Sequence, residues 1–225
     1  MVESYNEQTI QLLNESILQD EFNDAKQNEI AYSGKISGQE VLEYLLDGVD
    51  LGNAHILDVG SGQSYDLLCG RMKPKQWDVL EPSPERAKGA VEDIIGGWSE
   101  NIECAPYKYG GIVCWGTFCF VRSVQETLVE FNRVLLKGGY LFMDVVEYST
   151  MPLAQTVNSK SFVNFIKLFG FEMVNRKEFG PPHHKRVGFT FEKFEDFNCH
   201  RLRMPQVDDK GNINNFLISR DWFMR

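Results

Sequence analysis

Apolar positions along the chain alternate between helical and strand periods in a regular order. Ile10, Leu13 and Ile17 recur at helical spacing within residues 5–20, with Leu12 and Leu18 beside them, which predicts an amphipathic helix. Val41, Leu42, Leu45 and Leu46 predict a second helix from Gly38 to Asp47, stopped by Gly48. From Ala54 the pattern changes. Ile56-Leu57-Asp58-Val59 is a short apolar run closed by glycines and reads as a buried strand. A helix over Tyr65–Met72 and a strand over Trp77–Leu80 follow. Ser83-Pro84-Glu85 opens the next helix with a capping serine, proline in the first turn and an acid behind it. That helix is expected to end at Gly96-Gly97, before a third strand at Asn101–Cys104 and a fourth at Ile112–Trp115. Val124, Leu128, Phe131, Val134 and Leu135 mark a helix running up to Gly138-Gly139, and Tyr140–Val146 is the fifth strand. Phe162, Phe165, Ile166 and Phe169 form a further helix face closed by Gly170. Strands at Phe171–Val174 and Val187–Phe194 flank a loop holding Pro181-Pro182-His183-His184, and Asn215–Ile218 is a last, edge-type strand. Short strands alternating with helices over brief connections predict an α/β, doubly wound, mainly parallel sheet.

The 225 residues are ample for one core without a metal or disulfide staple, and their 43% hydrophobic and 24% charged residues fit a soluble globular chain. No apolar run reaches the roughly 18 residues of a membrane span, and Met1–Ile10 has no basic cluster of the kind that opens a secretory signal. The net charge of −9 sits entirely in residues 1–50, which hold 11 acids against 2 bases. The remainder has 21 of each. Such a chain lacks the basic stripe that grips a phosphate backbone, which argues against nucleic acid and anionic membranes as partners. Five cysteines with no C-x-x-C spacing read as free thiols in a reducing cytoplasm. The four histidines supply no second pair of metal ligands, so no metal is expected.

The chemistry concentrates after the first strand. In Asp58-Val59-Gly60-Ser61-Gly62-Gln63-Ser64 two glycines let the backbone turn tightly and approach a ligand, and the following helix directs free N–H groups toward it. Glu81 lies 21 residues beyond Gly60, at the end of the next strand, where a carboxylate suits two ribose hydroxyls. Together these strand ends make a crevice shaped for a nucleoside. A dinucleotide fingerprint would need glycine at position 65, and Tyr65 stands there.

The segment also resembles the first motif of class I S-adenosylmethionine-dependent methyltransferases, an acid followed by Gly-x-Gly-x-Gly. Asp58, Gly60 and Gly62 match, and Ser64 replaces the third glycine. Glu81-Pro82-Ser83-Pro84 is similar to the second motif of that family. Arg133-Val134-Leu135-Leu136-Lys137-Gly138-Gly139 is similar to its stretch before the fifth strand, with the usual proline missing. The resemblance covers about residues 50–195. It implies a seven-stranded sheet ending in an antiparallel hairpin, a core domain over 51–197, an acidic helical extension or lid over 1–50, and a C-terminal extension over 198–225 packed on the same domain.

It further implies S-adenosylmethionine as cofactor, held by Asp58, Gly60, Ser61, Gly62, Glu81 and Pro82. The adenine would meet Glu103 or Cys104, at the end of the expected third strand. Gly110 and Gly111 stand where the family often opens its fourth strand with Asp. Trp115, with Phe118 and Phe120, reads equally as a pocket wall and as core, and Tyr32 equally as part of a lid and as a packing residue. A sulfonium methyl is already electrophilic, so a base is needed only for a protonated acceptor. Glu147, Tyr148, His183 and His184 are the candidates, although a histidine pair after two prolines reads first as a solvated loop. The implied reaction is O- or N-methylation of a small or medium-sized molecule. The Trp115-Gly116-Thr117-Phe118 stretch does not carry the Asn/Asp-Pro-Pro-aromatic tetrapeptide of nucleic-acid amino methylation. The alternatives are a non-catalytic binding or scaffold protein with the acidic helices as docking surface, and a nicotinamide oxidoreductase. A homodimer is one assembly the reading allows.

Overall fold

The computed structural model describes Val41 and residues 44–60, 72–82, 93–149, 156–180, 184–198, 206–207 and 213–214. Seven strands form one sheet: β1 (His55–Val59), β2 (Gln76–Glu81), β3 (Asp93–Gly96), β4 (Tyr109–Cys114), β5 (Leu135–Ser149), β6 (Phe171–Phe179) and β7 (His184–Lys193). Their order is β3-β2-β1-β4-β5-β7-β6. The sheet is mixed: β3 to β5 run parallel, and β7 is antiparallel to both β5 and β6. The expected closing hairpin is therefore present. Reversal of the strand order after β1 puts the parallel strands' carboxyl ends at a topological switch point, where ligands of open α/β sheets bind.

The two faces of the sheet carry different cores. Leu57, Val59, Cys114, Met143, Val145, Phe189 and Phe191 point to one face. Two helices pack there, α1 (Val124–Val134) and α2 (Ser159–Ile166). α1 is capped by the Ser123 hydroxyl, which accepts from Glu126 N, and buries Leu128, Phe131 and Val134. α2 is capped by the Asn158 side chain accepting from Ser161 N at 3.0 Å. It places Phe162 against Phe118, Phe189 and Phe191. The other face holds Ile56, Trp77, Val79, Val113 and Phe142. There Val41 and Leu45, both fully buried, pack with Phe179 and Trp115. Thr190 Oγ1 and Asn175 Nδ2 both donate to the Leu45 carbonyl, and the turn that follows uses Gly48 at φ 75°. The stop expected at Gly48 is thus in place. The helix expected over 5–20 and most of the two helices after β1 and β2 lie outside the described residues, so the second helical layer of a doubly wound sheet does too.

Several boundaries differ from the sequence reading, among them β6, which runs on to Phe179, and β4, which spans Tyr109–Cys114. The third strand is Asp93–Gly96, in register with Asp78–Glu81, where a helix was expected. The Asn101–Cys104 segment forms no ladder beyond an isolated bridge from Asn101 to Trp98. Its backbone is satisfied by side chains of α1: the Ile102 N–H donates to Glu130 Oε2, and Arg133 donates to the carbonyls of Ile102 and Cys104. Helix α1 also stops earlier than expected. β5 starts at Leu135, and the Lys137-Gly138-Gly139 turn becomes a bulge, with Tyr109 opposite Leu135 and Gly111 opposite Tyr140. Finally, β7 begins at His184, so this histidine opens a strand opposite Ser149 instead of lying in a loop. β8 (Gln206–Val207) and β9 (Ile213–Asn214) pair with each other in a separate two-stranded sheet. The edge strand expected at Asn215–Ile218 lies outside the described residues.

Candidate functional site

The site is built from the carboxyl ends of β1, β2 and β4. Gly60 leaves β1 at φ 66° and donates its N–H to Leu80 O at 2.8 Å, fastening the turn to the neighbouring strand. An added Cβ at position 60 would sit 2.6 Å from the Thr117 side chain, so the turn and the loop after β4 are in close contact. Thr117 Oγ1 donates to the Gly60 carbonyl at 3.1 Å.

Asp58 lies one pair before the end of β1, between Val79 and Val113, and is buried. Its Oδ2 has no hydrogen-bond partner within good geometry among the described residues. Burial pushes its carboxyl up to about 8, the Trp77 indole works in the opposite direction, and the nearby Glu81 adds to the rise. Glu81 ends β2 and is only 4% exposed, turned into the protein. Two buried carboxyl groups thus stand beside the turn, close enough for Glu81 to act on the Asp58 carboxyl. Pro82, just beyond, is exposed. Ser61, Gly62 and Tyr32 lie outside the described residues.

The adenine-side expectation moves. With β3 ending at Gly96, Glu103 and Cys104 are on the return path toward the amino ends of the strands. Glu103 is exposed, and Cys104 lies by Tyr109 and Lys108 at the start of β4. The acid that follows the actual third strand is Glu100. Its Oε1 accepts from Arg122 N at 2.6 Å and Ser123 N at 3.0 Å, bracing the entry to α1. Trp115 is half-buried and stacks on Phe179 at 5.3 Å, with the Arg186 guanidinium over both rings. It packs against Val41, Leu45 and Phe179, and Phe118 belongs to the core.

The acceptor-side candidates divide. Glu147 accepts from the Ser159 hydroxyl and N–H and is ion-paired with Lys185 at 2.7 Å. Burial alone would raise its carboxyl, but Lys185 and Ser159 together hold it below the usual range. It is committed to anchoring α2, which makes it a weak base. Tyr148 is exposed and His184 half-buried. His183 lies outside the described residues.

Sequence reasoning missed Asp144 and Arg186. Asp144 is 2% exposed in the middle of β5, accepting from Gly116 N at 2.6 Å and Arg186 Nε at 2.5 Å. The signal was a lone acid within the apolar run Tyr140–Val146. Among the described residues no group of side chains is placed to hold a metal ion, and no helix is long and apolar enough to cross a membrane.

No protein-family model and no curated protein matches the chain. Solved structures do. A 1,6-didemethyltoxoflavin-N1-methyltransferase from Burkholderia thailandensis, with bound S-adenosylhomocysteine, is 12% identical. The match covers 81% of this chain and 89% of that one at a TM-score of 0.57. The chain shares the fold of that enzyme. An S-adenosylmethionine-dependent methyltransferase from Thermotoga maritima is 20% identical over 68% of this chain and 86% of its own, at a TM-score of 0.53. The [4+2]-cyclase SpnF matches as well, at 13% identity, 71% and 82% coverage and a TM-score of 0.56. The methyltransferase fold therefore also carries other chemistry.

Proposed function

We propose that this chain is an S-adenosylmethionine-dependent methyltransferase that transfers a methyl group to an oxygen or nitrogen of a small or medium-sized molecule. The observation that carries the reading is the pairing of Asp58, buried near the end of β1, and Glu81, buried one strand over at the end of β2, beside the turn at Gly60. Asp58 would receive the amino group of the cofactor and Glu81 its ribose hydroxyls, with Gly60, Ser61, Gly62 and Pro82 lining the approach. When bound, the cofactor supplies a methyl group on a sulfonium, an electrophile that needs no further activation.

The chain's own part is to hold the acceptor in line and to keep water out. The Trp115-Gly116-Thr117 loop, backed by Arg186 and Phe179, would bound the acceptor side. Glu147 is tied to Lys185 and Ser159, which leaves the described acceptor side without a free carboxylate base of ordinary basicity. An acceptor that arrives already deprotonated, or as a neutral amine, suits this arrangement. The absence of a basic stripe and of the amino-methylation tetrapeptide favours a small molecule over nucleic acid.

The second reading is a non-catalytic S-adenosylmethionine-binding or partner-scaffold protein on the same fold, and a cyclase among the structural neighbours favours keeping it, since that fold is not confined to methyl transfer. Calorimetric titration with S-adenosylmethionine, S-adenosylhomocysteine and NAD separates the readings. Saturable binding of the two sulfur nucleosides and none of NAD is expected. Failure of both sulfur nucleosides to bind removes the enzyme reading, and NAD binding alone would move the chain to the oxidoreductases. Transfer of label from methyl-labelled cofactor to a panel of small amines and phenols then distinguishes enzyme from binding protein.

A further inference from the structure

The glycine turn after β1 is held from an unexpected direction. Gly60 receives a hydrogen bond on its carbonyl from Thr117 Oγ1, and its Cα faces the same side chain closely. Thr117 follows Gly116, whose backbone is left-handed at φ 73° and whose N–H donates to Asp144 Oδ1 at 2.6 Å. The other Asp144 oxygen accepts from Arg186 Nε of β7 at 2.5 Å, and Nη2 of the same guanidinium lies at 2.5 Å as an ion-pair contact. Asp144 is 2% exposed and the Arg186 side chain 14%. A buried carboxylate gripped on both oxygens has one position available to it. It transmits that position along Gly116 and Thr117 to Gly60. The hairpin at the far end of the sheet thereby reaches the glycine turn through four residues.

We propose that Asp144, clamped by Arg186, is a positioning residue that sets the place of Gly60 through Gly116 and Thr117. That Gly60 belongs to a cofactor loop rests on the function proposed above. The placement of Gly60 can be read without any cofactor.

The test uses the full chain with Asp144→Asn, Thr117→Val, Thr117→Ser and the double variant Asp144→Asn/Thr117→Val. Asparagine offers a single acceptor oxygen, so it cannot serve both Gly116 and Arg186. Valine keeps the shape of Thr117 and loses the hydroxyl, and serine restores it. Amide hydrogen exchange at Gly60, measured by NMR against Leu57 and Val79, gives the first readout. Faster exchange at Gly60 relative to the two strand amides, by roughly tenfold in Asp144→Asn and in Thr117→Val, is expected. Thr117→Ser should stay at the wild-type rate, and the double variant should not exceed the larger single effect. A purely structural role would accelerate all three amides alike. That result, or an unchanged Gly60, overturns the proposal. Should Asp144→Asn fail to fold, Arg186→Lys, which keeps the charge and loses the Nε donor to Asp144, takes its place with the same expected and overturning outcomes.

The second readout is affinity for S-adenosylhomocysteine, expected to fall roughly tenfold in the same variants and to recover with serine. Unchanged affinity alongside accelerated Gly60 exchange would show that the cofactor does not depend on this placement, and would overturn the positioning role. If the wild-type chain does not bind S-adenosylhomocysteine, the proposed function fails, and the exchange arm still decides whether Asp144 places Gly60.

Discussion

Replacing Asp58 with asparagine should stabilise the free protein as pH rises and weaken it as a receptor. Burial, with a smaller push from Glu81 and against the pull of the Trp77 indole, lifts the carboxyl's pKa from the ordinary 3.8 to about 8. A carboxyl raised on folding takes up a proton between those two values. Its stabilising contribution is therefore complete below about pH 4 and is lost as pH climbs through about 8. Within that window each pH unit removes about 1.4 kcal/mol. From pH 5 to pH 7 the wild-type chain should lose roughly 2 to 3 kcal/mol through this group, a fall in Tm of roughly 5 to 10 °C for a chain of this size. The Asp58→Asn side chain has no proton to titrate, so the variant's melting temperature should exceed the wild-type value by an amount that grows over this range. Thermal melts of both proteins at half-unit steps from pH 5 to pH 8 measure the difference. A gap that stays constant with pH would refute the raised carboxyl. The same variant should bind S-adenosylhomocysteine roughly 10- to 100-fold more weakly, because the amine loses a charge-assisted hydrogen bond. Binding to the wild-type chain at pH 7 should release a proton, detectable as a dependence of calorimetric heat on the buffer's ionisation enthalpy.

Three further outcomes are expected. Phe162→Ala empties a fully buried site between Phe118, Phe189 and Phe191, and should cost about 3 to 5 kcal/mol in urea unfolding. Gly170→Ala should cost about 2 to 4 kcal/mol, because φ is 83° and a Cβ there runs into the Glu195 carbonyl; a loss under 1 kcal/mol would contradict that geometry. Glu147 is held below the ordinary carboxylate range despite its burial, chiefly by Lys185 and Ser159. Its contribution is present above the unfolded pKa and is lost as pH falls through the folded one. Glu147→Gln should therefore narrow its stability gap to wild type as pH drops from 5 toward 3, as measured by thermal melts.

The legible part of the fold was the part written locally. Asp58, Gly60 and Glu81 stand out because a strand pattern and a glycine pair follow one another in adjacent residues, and the structure puts the three residues at the ends of neighbouring strands. The closing hairpin was legible for the same reason. The third strand was not. Asp93–Gly96 is four residues long and sits behind a strong helix start, which carries the helical reading through it. Asn101–Cys104 has the apolar alternation of a strand, yet its backbone partners are Glu130 and Arg133, some 28 to 31 residues away. No local period encodes such partners. Glu103 and Cys104 therefore do not stand at the end of a third strand, which was the ground for placing adenine there. Arg186 and Asp144, 42 residues apart, escaped for the same cause: each looked like an ordinary polar position until the hairpin set them face to face. His184 read as loop because two prolines precede it, whereas the ladder to Ser149 extends β7 that far.

A crystal structure of the chain with S-adenosylhomocysteine tests the central claim most directly. Both ribose hydroxyls should lie within hydrogen-bonding distance of the Glu81 carboxylate, with the amino group at Asp58 and the ligand seated on the turn at Gly60. A nucleoside bound elsewhere, with Glu81 making no contact to the sugar, would contradict the account.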